Sequence, residues 1–224
     1  KDALDRGTSS VCNFVFPILN KNKNDIESSY GENGLNIIKS NLKTDKELFL
    51  KLLNRKFFNG KISNLNSILD IINNSITGLI LKKDKLKIFS SKYYTLFNNL
   101  NSLFEGQKGA KTAFIYSNLV TAGINIIEQI LLQNGYLQFD ENQSYNITDN
   151  VIDYYTGKTF KELKKKNSIK KFYPATYIKL IGTLTENEDD NNEHKKKLLD
   201  KYFNNVKNAQ GKYIKFVLGS EVMM

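Results

Sequence analysis

Few residues in this chain have the types and spacing to do chemistry. The stretch GQKGAKT, residues 106–112, sets glycines ahead of Lys111 and Thr112, the raw material of a phosphate-binding loop. Such a loop needs a strand, then the glycine turn, then the Lys-Ser/Thr pair at a helix start. Only that order turns backbone N–H groups and the helix dipole toward a phosphate. Here a helical pattern precedes the glycines, an apolar strand pattern follows them, and the spacing G-x-x-x-x-G-K-[ST] is not met. The glycines are therefore read as a helix cap and a helix-to-strand turn. One cysteine, Cys12, and one histidine, His194, rule out a disulfide within these residues and a structural zinc site by ligand count. Cys12 sits in the apolar run VCNFVF and reads as an inert buried thiol, while His194, in ENEDDNNEHKKK, reads as part of a solvated helix start. The acids Glu186–Asp190 and Glu193 lack the spacing and glycine of a calcium loop. They suit a solvated loop leading to a helix N-terminus.

Stronger candidates lie where apolar strands end. TAFIYS (112–117), ATYIKLIGTL (175–184) and YIKFVLGS (213–220) are apolar runs separated by helical patterns. Strand–helix–strand–helix–strand with apolar strands implies an α/β fold with a parallel sheet flanked by helices. In such sheets ligands gather at the carboxyl ends of the strands. The residues there are Ser117 and Asn118, Thr183 and Thr185, and Ser220. Hydroxyls, amides and helix N-termini suit phosphate oxygens without reading base edges; equally, such residues cap helices. A basic stretch, KTFKELKKKNSIKK (158–171), adds Lys164, Lys165 and Lys166 as candidates for electrostatic attraction to a polyanion.

The elements that must position these residues follow from periodicity. Residues 11–19 read as a short extended segment halted by Pro17, and 20–43 as polar and weakly ordered. Thr44 and Glu47 have the spacing of a capping box opening a helix whose face carries Leu48, Leu52, Leu53 and Phe57 and which ends at Asn59-Gly60. A second helix is expected from Asn64 to Asn74, and KLKIFS (85–90) as a strand or as the lead into the next helix. Tyr93, Leu96, Phe97, Leu100, Leu103 and Phe104 recur at helical spacing from Ser91. TAFIYS reads as a strand buried on both faces, and Asn118 opens an amphipathic helix through Leu131. A last helix is expected from about Glu193 to Val206. Residues 1–88 thus form a linker and helical appendage, and 89–224 the parallel-sheet unit with an insertion at about 136–171.

The bulk numbers bound the partners. With 224 residues, 40% hydrophobic and 12% aromatic, the chain can bury a core. A net charge of +10 favours polyanionic partners, nucleic acid first, although a lysine-rich solvated surface is the plainer reading. No apolar run reaches the roughly 18 residues of a membrane span, so a membrane partner is not expected. The cysteine count suits a reducing compartment. The start at Lys1 and the end on KFVLGSEVMM suggest an excised piece of something longer.

Taken in order, SKYYTLFNNLNSLF, KTAFIYSNLVTAGINIIEQILLQNGY, FYPATYIKLIGTLTENE and GKYIKFVLGSEVMM resemble the second RecA-like lobe of superfamily 2 helicases. More narrowly, they resemble the DEAD/SNF2-like NTPases of nucleocytoplasmic large DNA viruses. That group includes the poxvirus early transcription factor small subunit and the poxvirus transcription NTPase. FIYSN is similar to the motif IV strand, LIGTLT to the following strand with its nucleic-acid-touching loop, and KFVLGS to the strand leading into motif V. NFVFP (13–17) is similar to the stretch linking the lobes, and the Asn/Lys bias suits a giant virus.

The resemblance implies an incomplete second helicase lobe acting in viral transcription, with sequence-independent nucleic-acid contact. It implies ATP and Mg in the full-length protein, and a first helicase lobe of the same chain as partner. It also implies a place in the virion and the host cytoplasm's viral factory. The phosphate loop, the Asp-Glu box and the arginine motif of the family are missing from these residues, so ATP hydrolysis by this piece alone is not expected. The rival reading is a non-enzymatic module in which residues 20–90 bind viral RNA polymerase or another viral factor.

Overall fold

A computed structural model describes residues 13–104, 109–166, 172–181 and 193–220. The chain divides into two compact units. The first takes in the described residues up to Phe97 together with Thr121–Gln133. The second takes in Asn98–Val120 and the described residues from Asn134 onward.

The first unit opens with an antiparallel hairpin, β1 (Val15–Leu19) against β2 (Ile26–Tyr30). Pro17 does not halt β1; it is tolerated because each strand of a two-stranded ribbon has an open edge, where a missing N–H costs no ladder bond. Residues expected to be weakly ordered form β2 and helix α1 (Gly31–Thr44), which is anchored by buried Leu35 and Ile38. At Gly34 a Cβ would come within 2.8 Å of the Phe16 ring, so the close helix–hairpin approach needs glycine there. Helix α2 (Lys46–Phe58) follows at once. The expected capping box is not formed: Thr44 still belongs to α1, where its hydroxyl donates to Ser40 O at 3.1 Å. Asp45 caps α2 without a side-chain bond and is held instead by Lys23 at 2.9 Å. The buried face of α2 carries Phe49, Leu50, Leu52, Leu53 and Phe58, while Leu48 is exposed. Asn59, in the left-handed region at φ 53°, ends it as expected.

The expected helix over 64–74 is absent. In its place stand a short 3₁₀ turn (Leu65–Ser67) and a hairpin, β3 (Asp70–Ile72) against β4 (Ser75–Thr77). Asn73 and Asn74 both have positive φ, 47° and 61°, the backbone of a two-residue primed hairpin turn. KLKIF is helical, in α3 (Lys83–Phe89). Phe14, Phe16, Phe57 and Phe89 join the aromatic core, with centroid separations of 5.0–5.9 Å. Helix α4 (Ser91–Asn101) is capped by Ser90, whose hydroxyl accepts the Tyr93 N–H at 2.9 Å.

Strand β5 (Ala113–Tyr116) belongs to the second unit, but the helix after it does not. That helix begins with a wide π turn (Val120–Ile124) and continues as α5 (Asn125–Gln133) in the first unit. It is buried nearly all round from Ile126 to Leu131 rather than amphipathic. The Tyr93 hydroxyl donates to Ala122 O at 2.9 Å and the Gln133 amide donates to the Thr77 hydroxyl at 2.9 Å, tying it into that unit. Burial raises the Tyr93 phenol well above its ordinary range.

The second unit is built on a four-stranded, all-parallel sheet in the order β5-β8-β7-β6, the α/β fold expected for a RecA-like lobe. Its remaining strands are β6 (Leu137–Gln138), β7 (Thr176–Leu180) and β8 (Phe216–Gly219), and helix α6 (Phe160–Lys165) lies in the connection from β6 to β7. One face of the sheet, with Ile178, Leu180 and Val217, packs under Leu198, Leu199, Tyr202 and Phe203. These belong to a helix, α7 (193–198), that widens into a π turn (Leu199–Phe203). On the other face Tyr136 stacks between Phe216 (5.1 Å) and Phe104 (6.3 Å). TAFIYS is not buried on both faces: β5 is an edge strand, and Phe114 and Tyr116 are about half exposed. An apolar run reports a strand but not its rank in the sheet.

Candidate nucleic-acid interface

The register sets three strand ends side by side. Tyr116, Gly219 and Leu180 pair across β5, β8 and β7. One residue further, the Ser117 N–H donates to Gly219 O at 3.1 Å, and the Ser220 N–H donates to Leu180 O at 3.3 Å. The carboxyl edge of the sheet therefore gathers Ser117, Asn118 and Ser220, as expected from the strand pattern. Their availability differs. The Ser117 hydroxyl accepts the Leu119 N–H at 3.2 Å in a local turn and is half-buried. Asn118 is exposed. Ser220 is only 3% exposed, so its hydroxyl does not face solvent. Thr183, Thr185 and the acids Glu186–Asp190 lie outside the described residues. At this edge, Ser117 and Asn118 are the described groups able to meet a phosphate oxygen.

The lysines of the insertion lie elsewhere. Helix α6 opens with a capping box: the Thr159 hydroxyl accepts the Glu162 N–H at 3.2 Å, and Glu162 accepts the Thr159 N–H at 2.7 Å. The Thr159 N–H and the Thr159 hydroxyl, which also donates to the carboxylate at 2.8 Å, hold the Glu162 carboxyl below its ordinary pKa. Leu163 is buried under the helix, and Lys164, Lys165 and Lys166 are exposed around it. Ile152 bridges Thr159 within the insertion, and Asp153 bridges Pro174, which ties the insertion to the amino end of β7. The Ala175 N–H, just before β7, donates to Ile152 O at 2.8 Å. Strands of four or five residues at roughly 3.3 Å each separate the two edges by about 13–16 Å. The structure thus does not bring Lys164–Lys166 to Ser117, Asn118 and Ser220.

Two lysines stand at the amino edge, and the motif reading covers only the first. Lys111 donates to Phe104 O at 3.0 Å and leads into β5, so the would-be phosphate lysine anchors a helix-to-strand turn. Lys215, just before β8, is 1% exposed. Its ammonium donates to three carbonyls, those of Leu103 (3.0 Å), Tyr154 (2.9 Å) and Gln210 (3.3 Å), and lies 4.7 Å from the Phe104 ring centroid. Burial, with neighbouring Lys111, lowers its pKa to about 8, while Asp153 pulls the other way. The run YIKFVL, a lysine alternating with large apolar residues ahead of a buried strand, was the available sequence signal.

Also at this edge, Phe139, Tyr145, Tyr173 and Tyr213 line a shallow recess with Lys212. Asn208 supports it from below: its buried side chain accepts the Tyr213 and Ile214 N–H groups (2.8 and 3.0 Å) and donates to Phe203 O and Ile214 O (3.2 and 3.0 Å). His194 is exposed on α7, beside the Glu193–Lys197 ion pair of 3.0 Å. Among the described residues no group of three or more His, Cys, Asp or Glu could hold a metal, and no helix is long and apolar enough to cross a membrane.

No protein family profile matches the chain, and no solved structure matches it significantly. Over 99% of its length the chain is 38% identical to a protein of Acanthamoeba polyphaga mimivirus named "Putative ATP-dependent RNA helicase L377". The chain spans 20% of that relative. It is thus related to a helicase-named protein of a giant virus.

Proposed function

We propose that these residues form part of the second motor lobe of an ATP-driven nucleic-acid translocase or helicase, in which they contact the backbone of the strand. The observation that carries this reading is the 38% identity to a helicase-named relative over 99% of the chain. The parallel sheet with polar residues gathered at its carboxyl edge supports it. Ser117 and Asn118 would meet phosphates there, with Thr183, Thr185 and Ser220 shaping the adjoining loops. Lys164, Lys165 and Lys166 would add a salt-dependent attraction from the other edge. The relative's name points to RNA as the strand.

Among the described residues nothing fits ATP and Mg. Lys111, the lysine of the glycine–lysine stretch, is held by the Phe104 carbonyl and leads into a strand rather than a helix. A nucleotide would have to be held by other parts of a longer protein, the first lobe above all. A role in viral transcription beside viral RNA polymerase, in the virion and the host cytoplasm, follows from the family resemblance and belongs to the same proposal.

The test is binding of a fluorescent single-stranded oligonucleotide to the 224-residue chain across a salt series. For single strands log K should fall with log salt by about 0.7 for each phosphate neutralised, and replacing Lys164–Lys166 by glutamine should flatten that slope by up to about 2. Absence of binding at low salt would sink the proposal.

A further inference from the structure

The recess at the amino edge of the sheet has a chemistry that the carboxyl edge lacks. Its walls are the rings of Phe139, Tyr145, Tyr173 and Tyr213, closed by Pro174 and with Gln143 at the rim. The Lys212 ammonium stands between two of these rings, 4.5 Å from the Tyr173 centroid and 5.4 Å from that of Tyr213. Tyr213 is backed by Tyr202 at 5.8 Å and Tyr173 by Tyr154 at 6.2 Å, so the rings are held in place by packing. The Tyr145 hydroxyl is occupied by the Asp140 backbone, which fixes the ring on the loop.

Size and charge decide what such a recess can take. Its enclosed space is only about 10 Å³, room for about one water, so nothing is engulfed there. A flat ring can lie only across the open face of the aromatic walls, and a nucleoside triphosphate has no cavity to enter. The surroundings are cationic: in the described part of residues 134–220, thirteen lysines stand against seven acids. Several of those acids are already engaged. Glu162 caps α6, Glu141 pairs with Lys201 at 2.6 Å, and Asp153 accepts the Tyr155, Thr156 and Tyr173 N–H groups. Aromatic faces beside lysine charge are the two ingredients of single-strand binding: a stacking surface for a base and a cation for the adjoining phosphate.

We infer that one unstacked nucleobase of a single strand lies across the open aromatic face of the Phe139–Tyr145–Tyr173–Tyr213 recess, with Lys212 on its phosphate. This second contact lies at the opposite edge of the sheet from Ser117 and Asn118. It rests on the nucleic-acid-binding reading above and adds to it a base-stacking contact indifferent to sequence.

The experiment uses the 224-residue chain and a short single strand carrying the fluorescent base 2-aminopurine, whose emission is quenched on stacking. Wild-type protein should quench it. Lys212→Gln should keep partial quenching but weaken binding several-fold, and Tyr173→Leu should abolish quenching and weaken binding roughly tenfold. Lys212→Gln leaves the aromatic packing in place, losing the charge and its contacts with the Tyr173 and Tyr213 rings, and serves if Tyr173→Leu fails to fold. Ser117→Ala with Asn118→Ala should leave the quenching in place while lowering affinity. Binding without quenching, or equal affinity in wild type, Tyr173→Leu and Lys212→Gln, would overturn this inference alone. Absence of any binding by wild type would overturn the function reading as well. Displacement of the strand by equimolar adenosine monophosphate would also overturn the inference, since the recess would then be a mononucleotide site.

Discussion

Lys215 offers the sharpest test of how the second unit holds together. Its ammonium has three protons and faces three carbonyls, those of Leu103, Tyr154 and Gln210, at a position 1% exposed. Burial wins over these bonds, and the pKa falls from 10.5 to about 8. A lysine with a lowered folded pKa binds its proton more weakly folded than unfolded. Between about pH 8 and 10.5 the unfolded chain therefore holds the extra proton, and stability rises with pH. Linkage puts the full contribution at about 3 kcal/mol, present above pH 10.5 and lost as pH falls through 8; about 1.3 kcal/mol of it should appear between pH 7 and pH 9.

Lys215→Met keeps the volume, relieves the buried charge and strands three carbonyls, each costing about 1–3 kcal/mol. The net at pH 7 should be a loss of about 2 kcal/mol, widening to about 3 kcal/mol at pH 9 because only wild type gains from deprotonation. Urea unfolding of both proteins by circular dichroism at pH 7, 8 and 9 reads this directly. Comparison within one buffer cancels the tyrosines, including Tyr93 and Tyr136, whose burial raises their pKa. A gap between the two proteins that stays constant with pH would refute the reasoning. It would mean that the three carbonyls hold the amine at its ordinary pKa.

The remaining predictions concern backbone and capping. At Gly135, φ is +91° and a Cβ would stand 2.1 Å from Asn150 O, so Gly135→Ala should cost more than about 3 kcal/mol and lower the melting temperature sharply. An unchanged melting temperature would mean that the turn before β6 accommodates a side chain and would refute the steric argument. Thr159→Ala removes both the hydroxyl that accepts the Glu162 N–H and part of what depresses the Glu162 carboxyl. It should cost about 1 kcal/mol at neutral pH. Because the lowered carboxylate gives its stabilisation above its unfolded pKa and loses it in acid, the variant should also lose less on acidification, measured by urea unfolding at pH 7 and pH 4.

The parallel sheet was legible because strands buried in an α/β layer need unbroken apolar runs, and 113–116, 176–180 and 216–219 supply them. What the runs cannot encode is lateral order, which depends on pairing between distant segments; hence β5 was taken for a central strand. In the first unit two local signals were misread. Ile68, Ile71 and Ile72 match a helix period, but Asn73-Asn74 tolerates the left-handed backbone of a hairpin turn, and that chemistry prevailed. Thr44 and Glu47 have capping-box spacing, but the residue before them was already helical, a context no four-residue window contains. At the candidate site, the strand pattern marks Ser117 and Asn118 as strand-end residues, and the register sets them at the carboxyl edge. Charge alone marks Lys164–Lys166 and says nothing about place: the Asp153–Pro174 bridge and the Ala175–Ile152 bond tie the insertion to the amino end of β7.

That displacement changes what the sheet can do with a strand of nucleic acid. Among the described residues at the carboxyl edge the groups on offer are small and neutral, Ser117 and Asn118, fit to position a backbone but weak in attraction. At the amino edge stand the cations and the rings, fit to supply affinity but, with every base carrying a π face, unable to choose among sequences. Sites about 13–16 Å apart with no shared partner respond independently to mutation. Affinity and positioning are then separable properties of one small sheet. In the proposed motor lobe that separation would let a strand stay held by stacking and charge at one edge while neutral contacts at the other are made and broken. The division follows from chain connectivity: the β6–β7 connection carries the basic insertion and must return to the amino end of β7 before that strand can begin.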